Sequence, residues 1–253
     1  MNRDATGLAG VRHKNYDTLG STNAEALALA RAGEHGPLWI SAKSQTAGRG
    51  RRANTWISPP GNLYATLLLT EPSAVEAAPQ LSFVASLAVH DAILDCAGSL
   101  LPTLKVKWPN DLLIGEAKVG GILIESENEP LFAVAIGAGV NCASHPSDTP
   151  YPATDLAAAG ALVAPDRLLQ ALSTAMTRRL AQWHRGTGFA AIRADWLKRA
   201  AGLGREIHVR LPEREIAGRF TGLDDAGRLL LQRSDEQVEI ITAGDVFGFG
   251  SGA

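Results

Sequence analysis

The stretch from Ser44 to Asn62 reads S-Q-T-A-G-R-G-R-R-A-N-T-W-I-S-P-P-G-N and joins two apolar runs, 38–42 and 63–70. Such short apolar runs, bounded by turn-forming residues, are typical of β-strands. Glycines and prolines interrupt the hydrogen bonding of helices and sheets, so the stretch between the runs is predicted to be a loop. We therefore expect a sheet-based fold in which two strands frame this loop.

The same loop carries an unbalanced positive charge. It contains Arg49, Arg51 and Arg52, and no acidic residue occurs between Lys43 and Glu71. Arginines beside glycines, whose backbone N–H groups can approach a ligand closely, favour a polyanion such as a nucleotide phosphate. A solvated basic turn explains the composition equally well, and the loop alone does not separate these two interpretations.

Composition limits the class of protein. The chain has 253 residues, of which 45% are hydrophobic and 20% charged, as in ordinary globular proteins. Its net charge of −2 argues against a general nucleic-acid binder, so any anion site must be local. The N-terminus lacks the apolar segment of a signal peptide, and no apolar run reaches the ~18 residues of a membrane span. We therefore expect a cytoplasmic protein without membrane association.

Cys96 and Cys142 lack metal-ligand spacing and are predicted to be buried thiols.

Helix and strand patterns alternate over the first two hundred residues. Apolar residues recur with helical spacing in 79–97, 166–184 and 189–200, and the strand-like runs between them indicate an α/β or α+β domain on a mixed sheet. Beyond about residue 200 the pattern changes to short alternating strands, which predict a small SH3-like β-barrel. We assign residues 1–200 to the first domain and 201–253 to the second, which shows no catalytic constellation. The residues before Gly10 are expected to be frayed, and His90 to be partly exposed.

Three other motifs carry polar residues at points where the chain turns or a strand begins or ends. Thr22 and Glu25 fit a capping box at the start of a helix, whose free N–H groups are also suited to a polar ligand. The run 105–114 predicts a strand, a turn and a strand, and local hydrogen bonding would explain the turn residues Asn110 and Asp111. Lys118 precedes two glycines in a strand, a pattern that marks a bulge or a close backbone approach.

Several catalytic signatures are absent from the sequence. There is no G-x-x-x-x-G-K-[ST], H-E-x-x-H, C-x-x-C or G-x-S-x-G motif, and the six histidines are scattered. The chemistry suggested by the residues is therefore confined to the arginine loop, the lysine beside two glycines, the Asn-Asp turn and the helix start.

Taken in order, four stretches form a specific combination. They are S-T-N-A-E-A from Ser21, Q-T-A-G-R-G-R-R from Gln45 with Trp56 after it, K-W-P-N-D ending at Asp111, and K-V-G-G-I-L-I-E from Lys118, followed by G-A-G-V-N. With these motifs the chain resembles the biotin protein ligases from about residue 16 to 141, and its C-terminal part is compatible with theirs.

The resemblance implies an α+β catalytic domain of the class II synthetase-like, biotin/lipoate ligase type, with an SH3-like C-terminal module. It implies that biotin and ATP, with Mg²⁺, give biotinyl-5′-AMP and pyrophosphate. A lysine of a biotin carboxyl carrier domain, in acetyl-CoA carboxylase or a related carboxylase, then accepts the biotinyl group. The arginine loop is expected to be a lid that orders on ligand binding and protects the mixed anhydride from water.

Matching motifs also imply site residues in this chain. Biotin-binding residues would be Ser21, Thr22, Asn23, Gln45, Gly48, Arg49, Gly50, Arg51, Lys118, Gly120 and Gly121. Nucleotide-binding residues would be Trp56, Asn110, Arg51, Lys118 and Asn141. Catalytic residues would be Lys118, Arg49, Arg51 and Asp111, with Asp111 also a ligand of Mg²⁺ or a base toward the acceptor lysine.

Two departures and several alternatives accompany this resemblance. Ala53 and Asn54 stand where relatives often have glycine and a further basic residue, so a phosphate contact from that position is in doubt. Only about twenty residues precede Ser21, too few for a winged-helix domain, so we expect a ligase without operator binding. Homodimerisation is common in such ligases. A lipoate ligase or octanoyltransferase, or a non-catalytic module that binds RNA or protein, is the alternative.

Overall fold

An eight-stranded mixed sheet forms the centre of the larger part of the chain. The computed structural model describes residues 3–8, 10–98, 101 and 103–248. The strands of this sheet are β1 (Arg3–Leu8), β2 (Val11–Leu19), β3 (Leu38–Gln45), β4 (Leu63–Thr70), β5 (Leu104–Lys107), β6 (Asp111–Ile114), β7 (Ala117–Glu127) and β8 (Ala133–Val140). The α-helices are α1 (Thr22–Arg31), α2 (Leu81–Ala97), α3 (Pro165–Trp183) and α4 (Phe189–Leu197). Short 3₁₀ turns occur at Arg51–Ala53, Val75–Gln80 and His184–Gly186.

The sheet has the order β1-β2-β3-β4-β8-β7-β6-β5. Its strands pair antiparallel except for β2 and β3, which are parallel because α1 connects them as a crossover. The predicted α+β class with a mixed sheet is therefore confirmed, and the loop from Ser44 to Asn62 leads from β3 to β4 as expected.

Helices cover both faces of the sheet. Alternate residues of β3 point to opposite faces, so Leu38 and Ile40 pack with α1 while Trp39 lies on the other face. There the Trp39 indole donates to the Ser173 hydroxyl of α3 at 3.0 Å. Burial on both faces explains why this strand is apolar rather than alternating in sequence. Because α1 covers only part of its face, the rest of that face is available for a pocket.

A second, five-stranded antiparallel sheet follows α4. It has the order β12-β11-β10-β9-β13, with β9 (Glu206–Arg210), β10 (Glu215–Leu223), β11 (Leu229–Gln232), β12 (Val238–Ile241) and β13 (Asp245–Phe247). Its core is continuous with that of the larger part. At the junction, the buried Trp108 indole donates to the backbone oxygen of Gly227 at 3.1 Å, and Phe83 contacts Phe189 and Trp196 edge-on.

Four local expectations differ from the structure or need refinement. The N-terminus is not frayed from Arg3 to Leu8, because β1 gains ladder hydrogen bonds from β2, while Met1, Asn2 and Ala9 lie outside the described residues. His90 is buried rather than partly exposed, because α2 lies between the sheet and α3. The helix cap is Ser21, whose hydroxyl accepts from the N–H of Ala24, so the predicted Thr22–Glu25 capping box is wrong by one residue. Of the two cysteines, Cys142 is buried and Cys96 is half-buried.

The segment Val75–Ala97 is long and apolar enough to resemble a membrane span, but 67% of its most apolar window is buried. This segment contains α2 and packs within the fold as a core helix.

Candidate active site

A pocket of about 510 Å³ lies on the α1 side of the sheet, beyond the N-terminus of that helix. Three glycines of β7 and β8 line the pocket and leave it free of side chains at these positions: Gly121, Gly137 and Gly139. A β-carbon on Gly137 would lie 2.3 Å from Asn23 Oδ1, and one on Gly139 would lie 2.7 Å from the Trp56 ring. The small residues at the end of this apolar strand therefore make room for side chains that come from α1 and the arginine loop.

One end of the pocket is polar and uncharged. The Gln45 carboxamide accepts from the N–H and the hydroxyl of Thr22 at 2.9 and 3.2 Å, and donates to Ser58 at 2.9 Å. Thr66 donates to Asn23 Oδ1 at 2.6 Å. These side chains are almost fully buried apart from that of Gln45, and their hydrogen bonds fix where each donor and acceptor points. Such an end suits a neutral ligand group with both donors and acceptors.

The arginine loop lines the pocket and contacts other parts of the fold at three points. Arg49 pairs with Glu125 of β7 at 3.0 Å, Arg51 donates to Asn110 at 3.3 Å, and Arg52 pairs with Asp245 of β13 at 2.7 Å. Arg52 adopts a left-handed conformation with φ of 53°, which its ion pair helps to retain. Burial lowers the pKa of the Arg51 guanidinium, which nevertheless stays charged at neutral pH.

Two lysines share one largely buried carboxylate at the other end of the pocket. Asp111 Oδ1 lies 2.7 Å from Lys118 Nζ, and its Oδ2 lies 3.3 Å from Lys107 Nζ. Burial acts to raise the pKa of Asp111, but the two ammonium groups outweigh it and hold this pKa below its ordinary value. The cluster therefore carries one net positive charge when ionised, which suits a phosphate group.

Aromatic rings flank the shared lysine. Lys118 Nζ lies 5.4 Å from the centre of the Trp56 ring and 5.3 Å from that of Tyr151, within the range of cation–π attraction. The Trp56 indole nitrogen is buried and has no hydrogen-bond partner among the described residues. Both rings line the pocket, so its cationic end also offers flat apolar faces to a ligand.

The packing of Trp56 on Gly139 makes a first testable prediction. A Gly139→Ala substitution places a methyl group 2.7 Å from the indole, so Trp56 must leave its present position. Because the resemblance implies that Trp56 binds the nucleotide, we expect ATP binding to weaken by about tenfold, the effect of losing one ring contact of roughly 1–1.5 kcal/mol. Calorimetric titration with ATP measures this. Gly20→Ala is the control, because Gly20 does not line the pocket and a β-carbon there would meet no atom within 4 Å. Equal ATP affinity in Gly139→Ala and the unmodified protein would contradict the placement of Trp56.

Most of the residues assigned from the sequence line this pocket. Those that do are Ser21, Thr22, Asn23, Gln45, Arg49, Gly50, Arg51, Trp56, Asn110, Asp111, Lys118 and Gly121. Gly48, Gly120 and Asn141 do not. A β-carbon on Gly48 would lie 2.4 Å from the backbone oxygen of Trp56, and one on Gly120 would lie 2.9 Å from that of Gly139. Both glycines therefore allow close backbone packing. Asn141 is buried and donates to Thr154 O at 2.9 Å.

Sequence reasoning missed several pocket residues. Lys107 belongs to the K-W-P-N-D motif, and the β5–β6 hairpin register places it opposite Asp111, so a hairpin register is the signal that reveals it. Tyr151 carries no such local signal. Arg210, Asp245 and Phe247 come from the C-terminal module, in which the sequence shows no catalytic constellation. They line the pocket because β9 and β13 pack beside the arginine loop.

Comparisons with known proteins agree with this fold and pocket. Residues 19–141 match the model of the biotin/lipoate A/B protein ligase family, and residues 202–247 match that of the biotin protein ligase C-terminal domain. The class is therefore that of the biotin and lipoate protein ligases.

Individual relatives show which family within this class the chain belongs to. The chain is 44% identical to the biotin--[acetyl-CoA-carboxylase] ligase of Paracoccus denitrificans, over 90% of this chain and 96% of the relative. Among solved structures, the Aquifex aeolicus biotin protein ligase in complex with biotin and ATP has a TM-score of 0.78 at 24% identity, over 93% of this chain and 97% of that one. The Leishmania major ligase in complex with biotinyl-5-AMP has a TM-score of 0.66 at 27% identity, over 91% and 98%. The chain belongs to the biotin protein ligase family, which confirms the resemblance seen in its motifs.

Proposed function

We propose that this protein is an ATP-dependent ligase that forms biotinyl-5′-AMP and transfers the biotinyl group to a lysine of a biotin carboxyl carrier domain. One observation carries the proposal: a single pocket joins a neutral hydrogen-bonding end at Thr22 and Gln45 to a cationic end at Arg51 and Lys118. A neutral ureido ring with an acid at the end of its side chain, together with a nucleotide, fits this polarity. The names of the relatives support the same activity.

In the first step, a biotin carboxylate oxygen attacks the α-phosphorus of ATP and pyrophosphate leaves. Arg49, Arg51 and Lys118 are the charged groups we assign to this step. Their positive charges offset the repulsion between the carboxylate and the phosphate and stabilise the charge on the reacting oxygens. The Ser21–Asn23 segment and Gln45 would hold the ureido ring, so that the carboxylate points toward the cationic end.

In the second step, the amine of the carrier lysine attacks the biotinyl carbonyl and AMP leaves. Asp111 is a weak base here, because its pKa is lowered and each of its oxygens already accepts from an ammonium group. We therefore assign Asp111 mainly to holding Lys118 in place. Trp56 would stack near the adenine, and Asn110 would restrain Arg51 close to the phosphates.

The donor set around Asp111 does not fit a magnesium ion held by the protein. Within the described residues, no group of three or more His, Cys, Asp or Glu side chains converges. Two ammonium groups within 3.3 Å of the Asp111 carboxylate also repel a divalent cation. We propose that Mg²⁺ reaches the site with the phosphates of ATP rather than through Asp111.

The acceptor we propose is the carrier domain of acetyl-CoA carboxylase or a related carboxylase, as named for the Paracoccus relative. We propose a cytoplasmic enzyme, and a sedimentation measurement determines whether it forms a homodimer. We also propose residues 1–200 as the catalytic domain and 201–253 as the C-terminal domain. The two sheets, which are formed by strands on either side of that boundary, support this division.

Exchange of labelled pyrophosphate into ATP tests the proposed first step. We expect exchange that depends on biotin and does not occur with lipoate or octanoate, because Gln45 and Thr22 offer matched polar groups to a ureido ring and none to an alkyl chain. Exchange that depends on lipoate instead would move the assignment to the lipoate ligases.

A further inference from the structure

Glu125 in β7 contacts two residues that we assign to ligand binding, although it was not itself expected in the site. Its Oε2 atom accepts from Arg49 Nη2 at 3.0 Å and from Asn23 Nδ2 at 2.9 Å. Glu125 does not line the pocket, so its carboxylate acts on a ligand only through these two side chains.

The contact joins the two ends of the pocket. Thr66 donates to Asn23 Oδ1, and the Asn23 amide group donates to Glu125 and to the Leu123 backbone oxygen. Asn23 is 3% exposed, so these three partners fix its amide plane. The buried Asn23 side chain thereby fixes the Glu125 carboxylate on one side, while Arg49 reaches it from the arginine loop. The Arg49 side chain is the more exposed and less constrained partner of the pair.

We propose that Glu125 is a positioning residue that holds Arg49 away from the ligand, and that the biotin carboxylate displaces Glu125 from Arg49. The inference rests on the proposed function, in which Arg49 closes over that carboxylate. Glu125 presents to Arg49 the same chemical group that biotin presents. Arg49 therefore exchanges one carboxylate partner for another, and the loop closes without leaving its guanidinium unpaired.

The exposure of the pair makes this exchange feasible. The Arg49 and Glu125 side chains are 43% and 29% exposed, and ion pairs so accessible to water are weak and easily broken. A carboxylate next to an ATP phosphate offers Arg49 two negative groups in place of one. The liganded position of Arg49 is therefore favoured once both substrates are bound.

Strand β7 also offers a matched control. Glu127 lies two residues after Glu125 and points to the same face, and it pairs with Arg31 of α1 at 2.5 Å. Its side chain is 31% exposed, close to the value for Glu125. Glu127→Gln thus removes an equally exposed ion pair from the same strand without touching the arginine loop.

Glu125→Gln is the test variant, because the new amide oxygen still accepts from Asn23 while the negative charge facing Arg49 is lost. In the ligand-free protein, we expect trypsin to cleave after Arg49 about two- to fivefold faster in Glu125→Gln, the factor that matches an exposed ion pair. We expect the dissociation constant for biotin to fall by the same factor, because the internal competitor is gone. Glu127→Gln leaves both values unchanged, and thermal melts verify that both variants are folded.

Equal cleavage in Glu125→Gln and the unmodified protein would overturn the proposal, because Glu125 would not restrain Arg49. Weaker biotin binding in Glu125→Gln would also overturn it, because Glu125 would then prepare Arg49 for the ligand rather than compete for it. If the unmodified protein failed to bind biotin, the proposed function would fail. The cleavage rates would still report separately on the restraint.

Discussion

Replacement of Lys118 by alanine is expected to lower the rate of biotinyl-5′-AMP formation by about 10²–10³-fold, the usual effect of losing one charged group that stabilises a transition state. Lys118 is held 2.7 Å from Asp111 and between the rings of Trp56 and Tyr151, at the cationic end of the pocket. A preorganised ammonium group needs no rearrangement as negative charge moves onto the departing pyrophosphate. Biotin-dependent pyrophosphate exchange measures the loss.

Lys105→Ala is the control for Lys118→Ala. Lys105 lies two residues before Lys107 on β5 but is exposed and outside the pocket. Its replacement removes the same charge without removing a pocket contact, so exchange is expected to stay within about twofold of the unmodified protein. A comparable loss in both variants would mean that general charge, rather than the position of Lys118, drives the reaction.

The second large effect concerns stability. We expect Asp111→Asn to reduce the free energy of unfolding at pH 7 by about 2–3 kcal/mol. Without the carboxylate, the ammonium groups of Lys107 and Lys118 repel each other in a site where each side chain is only 16% exposed. Urea unfolding of both proteins measures the difference.

The pH dependence of this difference has a definite sign. The pKa of Asp111 is lower in the folded protein than in the unfolded chain. Its contribution to stability is therefore complete above the unfolded value of about 3.9 and is lost as the pH falls through the folded value. The gap between Asp111→Asn and the unmodified protein should narrow below about pH 4.

Asp17→Asn is the matched control for the stability measurement. Asp17 also contacts a lysine, Lys43, at 2.7 Å, but the two side chains are 80% and 67% exposed. Solvent screens such a pair, so this variant is expected to lose less than about 1 kcal/mol. Equal losses in the two variants would show that the lower exposure of Asp111 adds nothing to stability.

The sequence was sufficient for the fold class because local signals agreed with tertiary structure. The apolar runs on either side of the arginine loop are strands, and the run 105–114 is a hairpin whose turn holds Asn110. The segments 79–97 and 166–184 contain helices, because apolar residues three or four positions apart lie on one face of a helix. Position on the sheet was not predictable, since it depends on pairing between strands far apart in the chain.

The same limit applies to the pocket. Arg49, Arg51 and Lys118 belong to sequence motifs, and their positive charge beside glycines was enough to predict a phosphate site. Asp245 and Phe247 lie nearly two hundred residues from the arginine loop, and only the packing of the second sheet brings them beside it. Glu125 is the last residue of the motif K-V-G-G-I-L-I-E. Its contact with Arg49 could not be predicted, because it depends on how β7 packs against the arginine loop.

The most direct test of the proposed activity is the mass of an isolated biotin carboxyl carrier domain incubated with this protein, biotin and ATP. We expect the mass to increase by one biotinyl group at a single lysine. The increase should require ATP and should be almost abolished by Lys118→Ala but not by Lys105→Ala. An unchanged mass, with the protein folded and both substrates present, would contradict the assignment as a biotin protein ligase.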